Sequence, residues 1–246
     1  MSSFLPATAK SLSPEQQPLS PRGELLAQRR RRARLRFKVP NIRSSRNLSA
    51  AAARGYCGIE GAKDIQMKAL LPNTHIGLTT SEKPTFFFHV SPTSIREAKF
   101  LLLDAEGKTI LYKRIFALAK TGGVINFTLP ADAKVLEVGQ EYTWELAVLC
   151  DPDDQRGNPN VQGSIKRIEP SQKLANDLGK TPLYEHIALY ANEGLWYDML
   201  KTLADLRSCN PNDSTLVSDW KELLSSAGLS SINQEPLLQS CMSNQK

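Results

Sequence analysis

Little in this chain announces chemistry. Of its 246 residues only 3 are histidine, 4 are cysteine and 4 are methionine. It contains no HExxH, GxSxG, Walker loop or GxGxxG. The sequence signatures of zinc proteases, α/β-hydrolases, P-loop nucleotide enzymes and dinucleotide-binding folds are therefore missing. Cys57, Cys150, Cys209 and Cys241 form no CxxC and no metal-type Cys/His spacing, so zinc is not expected. No window approaches the ~20 apolar residues that a membrane helix needs. Residues 1–28 lack the continuous apolar stretch of ~7–15 residues that an export signal carries. From the residues alone the expectation is a cytoplasmic chain, or one whose start has lost or misplaced such a signal. No cofactor is expected.

Charge is present but unevenly placed. From Met1 to Tyr56 there are 12 basic and 2 acidic residues, and the remainder carries 19 and 23. The net charge of +6 thus divides into a +10 segment and a mildly acidic body of −4. Residues 1–28, rich in Ser, Pro, Gln and Ala, read as disordered. The run Arg29-Arg30-Arg31-Arg32-Ala33-Arg34-Leu35-Arg36-Phe37-Lys38 could contact nucleic acid, anionic lipid or an acidic partner. No folded reader module accompanies it, so a solvated tail is the preferred reading, and nucleic acid is not the expected partner. Residues 39–56 continue as a Ser/Arg/Ala linker.

The strongest local pattern is Gly139 to Pro152, GQEYTWELAVLCDP. Tyr142, Trp144, Leu146, Val148 and Cys150 fall on one face and Glu141, Thr143, Glu145, Ala147 and Leu149 on the other, the period of a half-buried strand. Further strands are predicted at Ile65–Leu71, Pro84–Ser91, Glu97–Leu103, Lys108–Phe116, Val124–Leu129 and Val161–Ile168. Phe86-Phe87-Phe88 suggests that the second of these is covered on both sides. Asp104-Ala105-Glu106-Gly107 supplies a hairpin loop with Gly where such loops need it. Pro130, Pro152, Pro159 and Pro170 fall between strands, as a residue without an N–H must. Seven short strands with no helix between them predict an antiparallel, immunoglobulin-like β-sandwich over residues 57–170.

After Pro170 the period becomes helical. Thr181 is the expected N-cap, with Pro182 in the first turn. Leu183, Ile187, Tyr190 and Ala191 form one stripe, broken by Gly194. Trp196, Met199, Leu200, Leu203 and Leu206 form a second, ended by Asn210-Pro211-Asn212-Asp213. Leu216, Trp220, Leu223 and Leu224 form a third, closed by Gly228. Thr181 to Asp213 matches a tetratricopeptide repeat in length, and Gly194, Trp196, Leu200, Leu203 and Pro211 resemble its second half, although Met199 stands where a small residue is usual. The helical unit, 171–229, is expected to pack on the sandwich, because one such unit is too short for a solenoid. Residues 230–246 read as a frayed tail.

Candidate chemistry is sparse. His89 lies in an aromatic strand and His186 on a helix after Glu185; both read as packing or polar-face residues. Asp151, Asp153 and Asp154 could offer calcium three carboxylates. Gln155 and Arg156 break the EF-hand pattern, and a polar turn is the preferred reading. No metal is therefore assigned. Cys57 and Cys150 either form a disulfide, which an oxidising compartment would preserve, or remain two partly buried thiols.

Six motifs follow one another along the body: Ala69-Leu70-Leu71-Pro72; Gly77-Leu78-Thr79; Lys83-Pro84-Thr85-Phe86-Phe87-Phe88; Tyr142-x-Trp144 with Cys150-Asp151-Pro152; Leu189-Tyr190-Ala191-x-x-Gly194-Leu195-Trp196-Tyr197-Asp198; and Trp220-x-x-Leu223-Leu224-x-x-x-Gly228-Leu229. In this order and combination they resemble the largely cyanobacterial family called domain of unknown function 928, from about Cys57 to Leu229. That family has no established activity, so the resemblance implies no catalytic residues. It does imply export, since members combine a signal peptide, a Gly/Arg/Pro-rich linker and this body; here the linker is an Arg/Ser/Ala version. The expected function is a non-enzymatic interaction or cell-envelope role with an unknown protein partner. The alternatives are a hydrolase whose site is assembled in space, and anionic-surface or nucleic-acid binding through Arg29–Arg36.

Overall fold

The computed structural model describes residues 35–45, 52–55, 65–150 and 158–241. Among the described residues nine strands form two sheets: β1 (Ala52–Gly55), β2 (Ile65–Ala69), β3 (Ile76–Thr79), β4 (Thr85–Val90), β5 (Glu97–Leu103), β6 (Ile110–Ala117), β7 (Gly123–Thr128), β8 (Glu141–Val148) and β9 (Asn160–Arg167). The first sheet has the order β1-β2-β4-β7 and the second β3-β9-β8-β5-β6. Four helices follow: α1 (Gln172–Leu178), α2 (Leu183–Glu193), α3 (Trp196–Cys209) and α4 (Ser214–Ser226).

The alternation in the sequence sets which faces meet. Phe86 and Phe88 of β4 point at the second sheet, where their rings lie 5.7 and 5.3 Å from that of Trp144 on β8 and 4.9 and 6.4 Å from that of Phe100 on β5. Edge-on pairs at these separations add to what burial alone contributes. Phe87 and His89 point the other way and are buried as well, so β4 is covered on both faces. Strand β8 is more enclosed than a half-buried strand: Thr143 and Ala147, on its second face, are also buried. It is a central strand between β9 and β5.

Four features depart from the sequence-based expectation. Strand β1 lies in the expected linker, before residue 57, and pairs antiparallel with β2. The second sheet is mixed rather than antiparallel, because the unpredicted strand β3 runs parallel to β9. Its four residues are buried throughout and so carry no alternation that would have revealed them. Helix α1 was also unpredicted; Ser171 caps it by accepting from the Leu174 N–H at 3.1 Å. Thr181 does not cap α2. Pro182 takes that position with extended backbone, and the Thr181 hydroxyl donates to the Asp177 carbonyl at 2.8 Å.

Gly194 and Gly228 take left-handed φ of 72° and 77°, as expected of residues that end helices. At each, the following N–H reaches back to a carbonyl five residues earlier, Leu195 to Tyr190 and Leu229 to Leu224. Strands and helices share one continuous core, with Trp144, Trp196 and Trp220 fully buried in it.

Two segments expected to be loose lie against the body. Within residues 35–45, the Phe37 ring meets that of Trp196 edge-on at 5.0 Å, the Lys38 N–H donates to the Ala191 carbonyl at 3.0 Å, and Ser44 and Ser45 both donate to Glu141. After α4 the chain crosses the outer face of the first sheet. Lys68, His89 and Val124 form one cross-strand row there. Ser231 accepts from Lys68, Glu235 lies 3.7 Å from His89, and Leu237 bridges to Val124. The segment is then tied to α3 by a disulfide between Cys209 and Cys241.

Candidate binding cleft

The C-terminal segment leaves a cleft of about 650 Å³ between itself, the end of β6, the edge strand β7 and helix α3. That volume lies within the ~300–1,000 Å³ usual for ligand sites. Phe116, Ile125 and Leu206 supply its apolar wall. Leu183 at the start of α2 and Leu238 in the C-terminal segment stand at its rim, 50% and 37% exposed.

The polar atoms of the cleft are engaged with one another. Asn126 donates its side-chain amide to the Gln239 carbonyl oxygen, and Gln239 in turn donates to Asp205 at 2.5 Å. Lys201 donates to the other Asp205 oxygen, an i,i+4 ion pair on α3. The Thr85 and Thr128 hydroxyls meet at 2.8 Å. The result is an apolar cleft crossed by one chain of hydrogen-bonded side chains, a surface suited to recognition.

The sequence-predicted candidates lie elsewhere. Nε2 of His186 faces two carbonyls, Leu178 at 3.0 Å and Thr181 at 3.1 Å; it therefore carries the proton and ties α2 to the turn before it. His89 is buried beneath Glu235, and desolvation pulls its pKa below the ordinary histidine value against the attraction of that carboxylate. Cys150 is half-buried and disulfide-bonded, and its N–H donates to the Asn158 side chain at 3.0 Å. Cys57, the carboxylates Asp151, Asp153 and Asp154, and Arg29–Arg34 of the basic run lie outside the described residues. Among the described residues no group of three His, Cys, Asp or Glu side chains could hold a metal ion.

Two deeply buried groups with displaced pKa values, Tyr197 and Asp198, lie at the helix–sheet junction, away from the cleft. Trp196 donates its indole N–H to the Leu70 carbonyl at 2.8 Å. Its neighbour Tyr197 has its hydroxyl between the Trp144 indole and the Ser164 carbonyl, and burial drives the phenol pKa far above its usual value. Asp198 accepts from the Thr80 hydroxyl at 2.9 Å and the Thr80 N–H at 3.2 Å. Burial raises its carboxyl pKa, and the donors at Thr80 and Thr79 only partly oppose that.

A family model described as Domain of Unknown Function (DUF928) matches residues 49–237. The chain belongs to this family. No curated protein matches it. The structure gives the DUF928 resemblance a physical content. Leu70, Thr79, Trp144, Trp196, Tyr197 and Asp198, all within or beside the motifs that carried it, meet one another where α3 enters the sheets. The cleft shares only Thr85 with those motifs; Leu183, Lys201, Asp205, Leu238 and Gln239 of its lining lie outside them. Sequence reasoning missed the cleft because its walls come from β6, β7, α3 and a tail distant in sequence. The one local signal was Pro236-Leu237-Leu238, an apolar cluster in an otherwise polar end.

Proposed function

We propose that this DUF928 member is a non-catalytic binding protein. In this reading the two facing sheets are an immunoglobulin-like β-sandwich, and α2 and α3 are a single tetratricopeptide-like pair with the buried Met199 filling the space where a small residue is usual. Their joint role is to present the cleft to a protein partner. The observation that carries the reading is the composition of that cleft: exposed Leu183 and Leu238 at the rim, and an interior polar chain whose members are engaged with one another. Apolar contacts around a few satisfied polar groups suit recognition. Three buried groups with displaced pKa, Tyr197, Asp198 and His89, are held by contacts within the fold and do not line the cleft. The exposed disulfide Cys209–Cys241 fits an oxidising compartment such as the cell envelope. The test is capture of partners from a native extract with the body as bait, comparing wild type with Leu183→Lys and Leu238→Lys. Loss of a specific partner with both variants, at unchanged thermal stability, supports the cleft. Undiminished capture by both removes it.

A further inference from the structure

Strand β7 is one of the two outer strands of the first sheet, and an outer strand presents backbone groups that invite another strand. Here that place is filled by the chain itself. The Val124 N–H donates to the Pro236 carbonyl at 2.7 Å, and the Leu238 N–H donates to the Val124 carbonyl at 2.8 Å, in the sense of a parallel bridge. Gly123, at φ 132°, permits this approach; a Cβ there would come within 2.6 Å of the Pro236 carbonyl oxygen. Leu237 packs against the core, and Gln239, two residues on, is read by the side chain of Asn126.

We propose that Pro236–Cys241 is a disulfide-latched strap, and that the β7 edge beneath it is a docking site for an extended peptide strand. The proposal deepens the binding reading above and rests on it, since Leu238, Gln239 and Ser240 of the strap form one wall of the cleft. The strap itself specifies the partner chemistry. The occupant runs parallel to β7, exchanges two backbone hydrogen bonds with Val124, places an apolar side chain where Leu237 sits, and puts a primary amide two residues later against Asn126. Strand addition of this kind takes affinity from the main chain and selectivity from alternate side chains.

The latch is accessible. Cys209 and Cys241 are both exposed, and exposed disulfides are the ones open to exchange. A thiolate of an external dithiol attacks one sulfur to form a mixed disulfide. The second thiol of the reductant then resolves it, leaving Cys209 and Cys241 as thiols and the reductant as a disulfide, a transfer of two electrons and two protons. The bond closes a sequence separation of 32 residues. Without it the strap no longer holds its place by closure entropy and competes with a free strand on the strength of a few hydrogen bonds.

The test uses the full chain and a fluorescent peptide copying residues 234–241 with serine in place of Cys241. Wild type, wild type treated with dithiothreitol, and Cys241→Ser are titrated with it, alongside a control peptide bearing Leu237→Asp. We expect apparent affinity to rise on the order of 100-fold when the latch is opened by either route, with the control peptide bound by none. Amide exchange at Val124 should accelerate in Cys241→Ser. Equal binding to oxidised and opened chains, binding of both peptides alike, or no binding by either opened form would overturn the proposal. Should Cys241→Ser fail to fold, as near-ultraviolet circular dichroism would reveal, Cys209→Ser, which opens the same latch and leaves the disulfide at Cys150 intact, decides in its place. If the strap peptide fails while Leu183→Lys still loses its partner, the strap falls and the cleft stands.

Discussion

The Trp144 indole N–H of β8 donates to the Tyr197 hydroxyl of α3 at 2.8 Å, and that hydroxyl donates onward to the Ser164 carbonyl of β9 at 3.1 Å. One phenol thereby joins a helix to two adjacent strands deep in the core, where all three side chains are shielded from water. A buried donor that loses its acceptor costs more than the bond itself contributes net, because water cannot replace the partner.

Tyr197→Phe should therefore destabilise the protein by about 1–3 kcal/mol, with the fold retained because only one oxygen is removed. Chemical denaturation of Tyr197→Phe, Trp144→Phe and the double variant forms a cycle. The two single effects should be sub-additive, with a coupling of about 0.5–3 kcal/mol, because both remove the same hydrogen bond. Strict additivity would mean that the bond contributes nothing to stability.

Much of the strand set was readable because alternation is a local signal. Glu97–Leu103 was bounded to the residue, and the aromatic run at Phe86–Phe88 announced a strand covered on both faces. What alternation does not encode went unread. Strand β3 is four residues buried on both sides, so its parallel pairing with β9 had no periodic trace. Thr181 looked like a cap by residue type, yet the preceding helix α1 claimed its hydroxyl through Asp177. The cleft was unreadable for a different reason: Asn126, Asp205 and Gln239 meet across more than a hundred residues of sequence, and no local pattern connects them. Residues 230–246 read as frayed because a polar stretch with two leucines lacks a period, whereas Val124 and Cys209 hold its described part, up to Cys241, in place; residues 242–246 lie outside the described residues.

The cysteines give a second prediction. Cys209 and Cys241 are joined, and we propose that Cys57 pairs with Cys150, which would staple the entry to the body to the exit of β8. Peptide mapping without reduction should find Cys57 and Cys150 in one cross-linked species and Cys209 and Cys241 in another. Removing the Cys209–Cys241 bond by a double serine substitution should cost about 2–4 kcal/mol, measured by urea denaturation. A peptide in which Cys57 is alkylated without prior reduction would rule out the first pairing and leave the second untouched.

Asp198 permits a test in which the sign of a pH dependence is fixed in advance. Burial raises its carboxyl pKa above the ordinary value of 3.8. Between the unfolded and folded pKa the folded chain therefore holds a proton that the unfolded chain has released, so stability falls as pH rises through that window. Above the folded pKa the loss is complete and the contribution is flat. Asp198→Asn keeps an oxygen acceptor for the Thr80 hydroxyl and N–H but cannot ionise. Its stability relative to wild type should rise from mildly acidic pH upward and then level off, as read from urea midpoints at a series of pH values. Asp198→Ala removes the acceptor and should lose about 1–3 kcal/mol. An Asn variant that instead loses ground to wild type as pH rises would show that the donors at Thr79 and Thr80 outweigh burial, so that the carboxylate is stabilised in its charged form and acts as an anionic clamp between α3 and the end of β3.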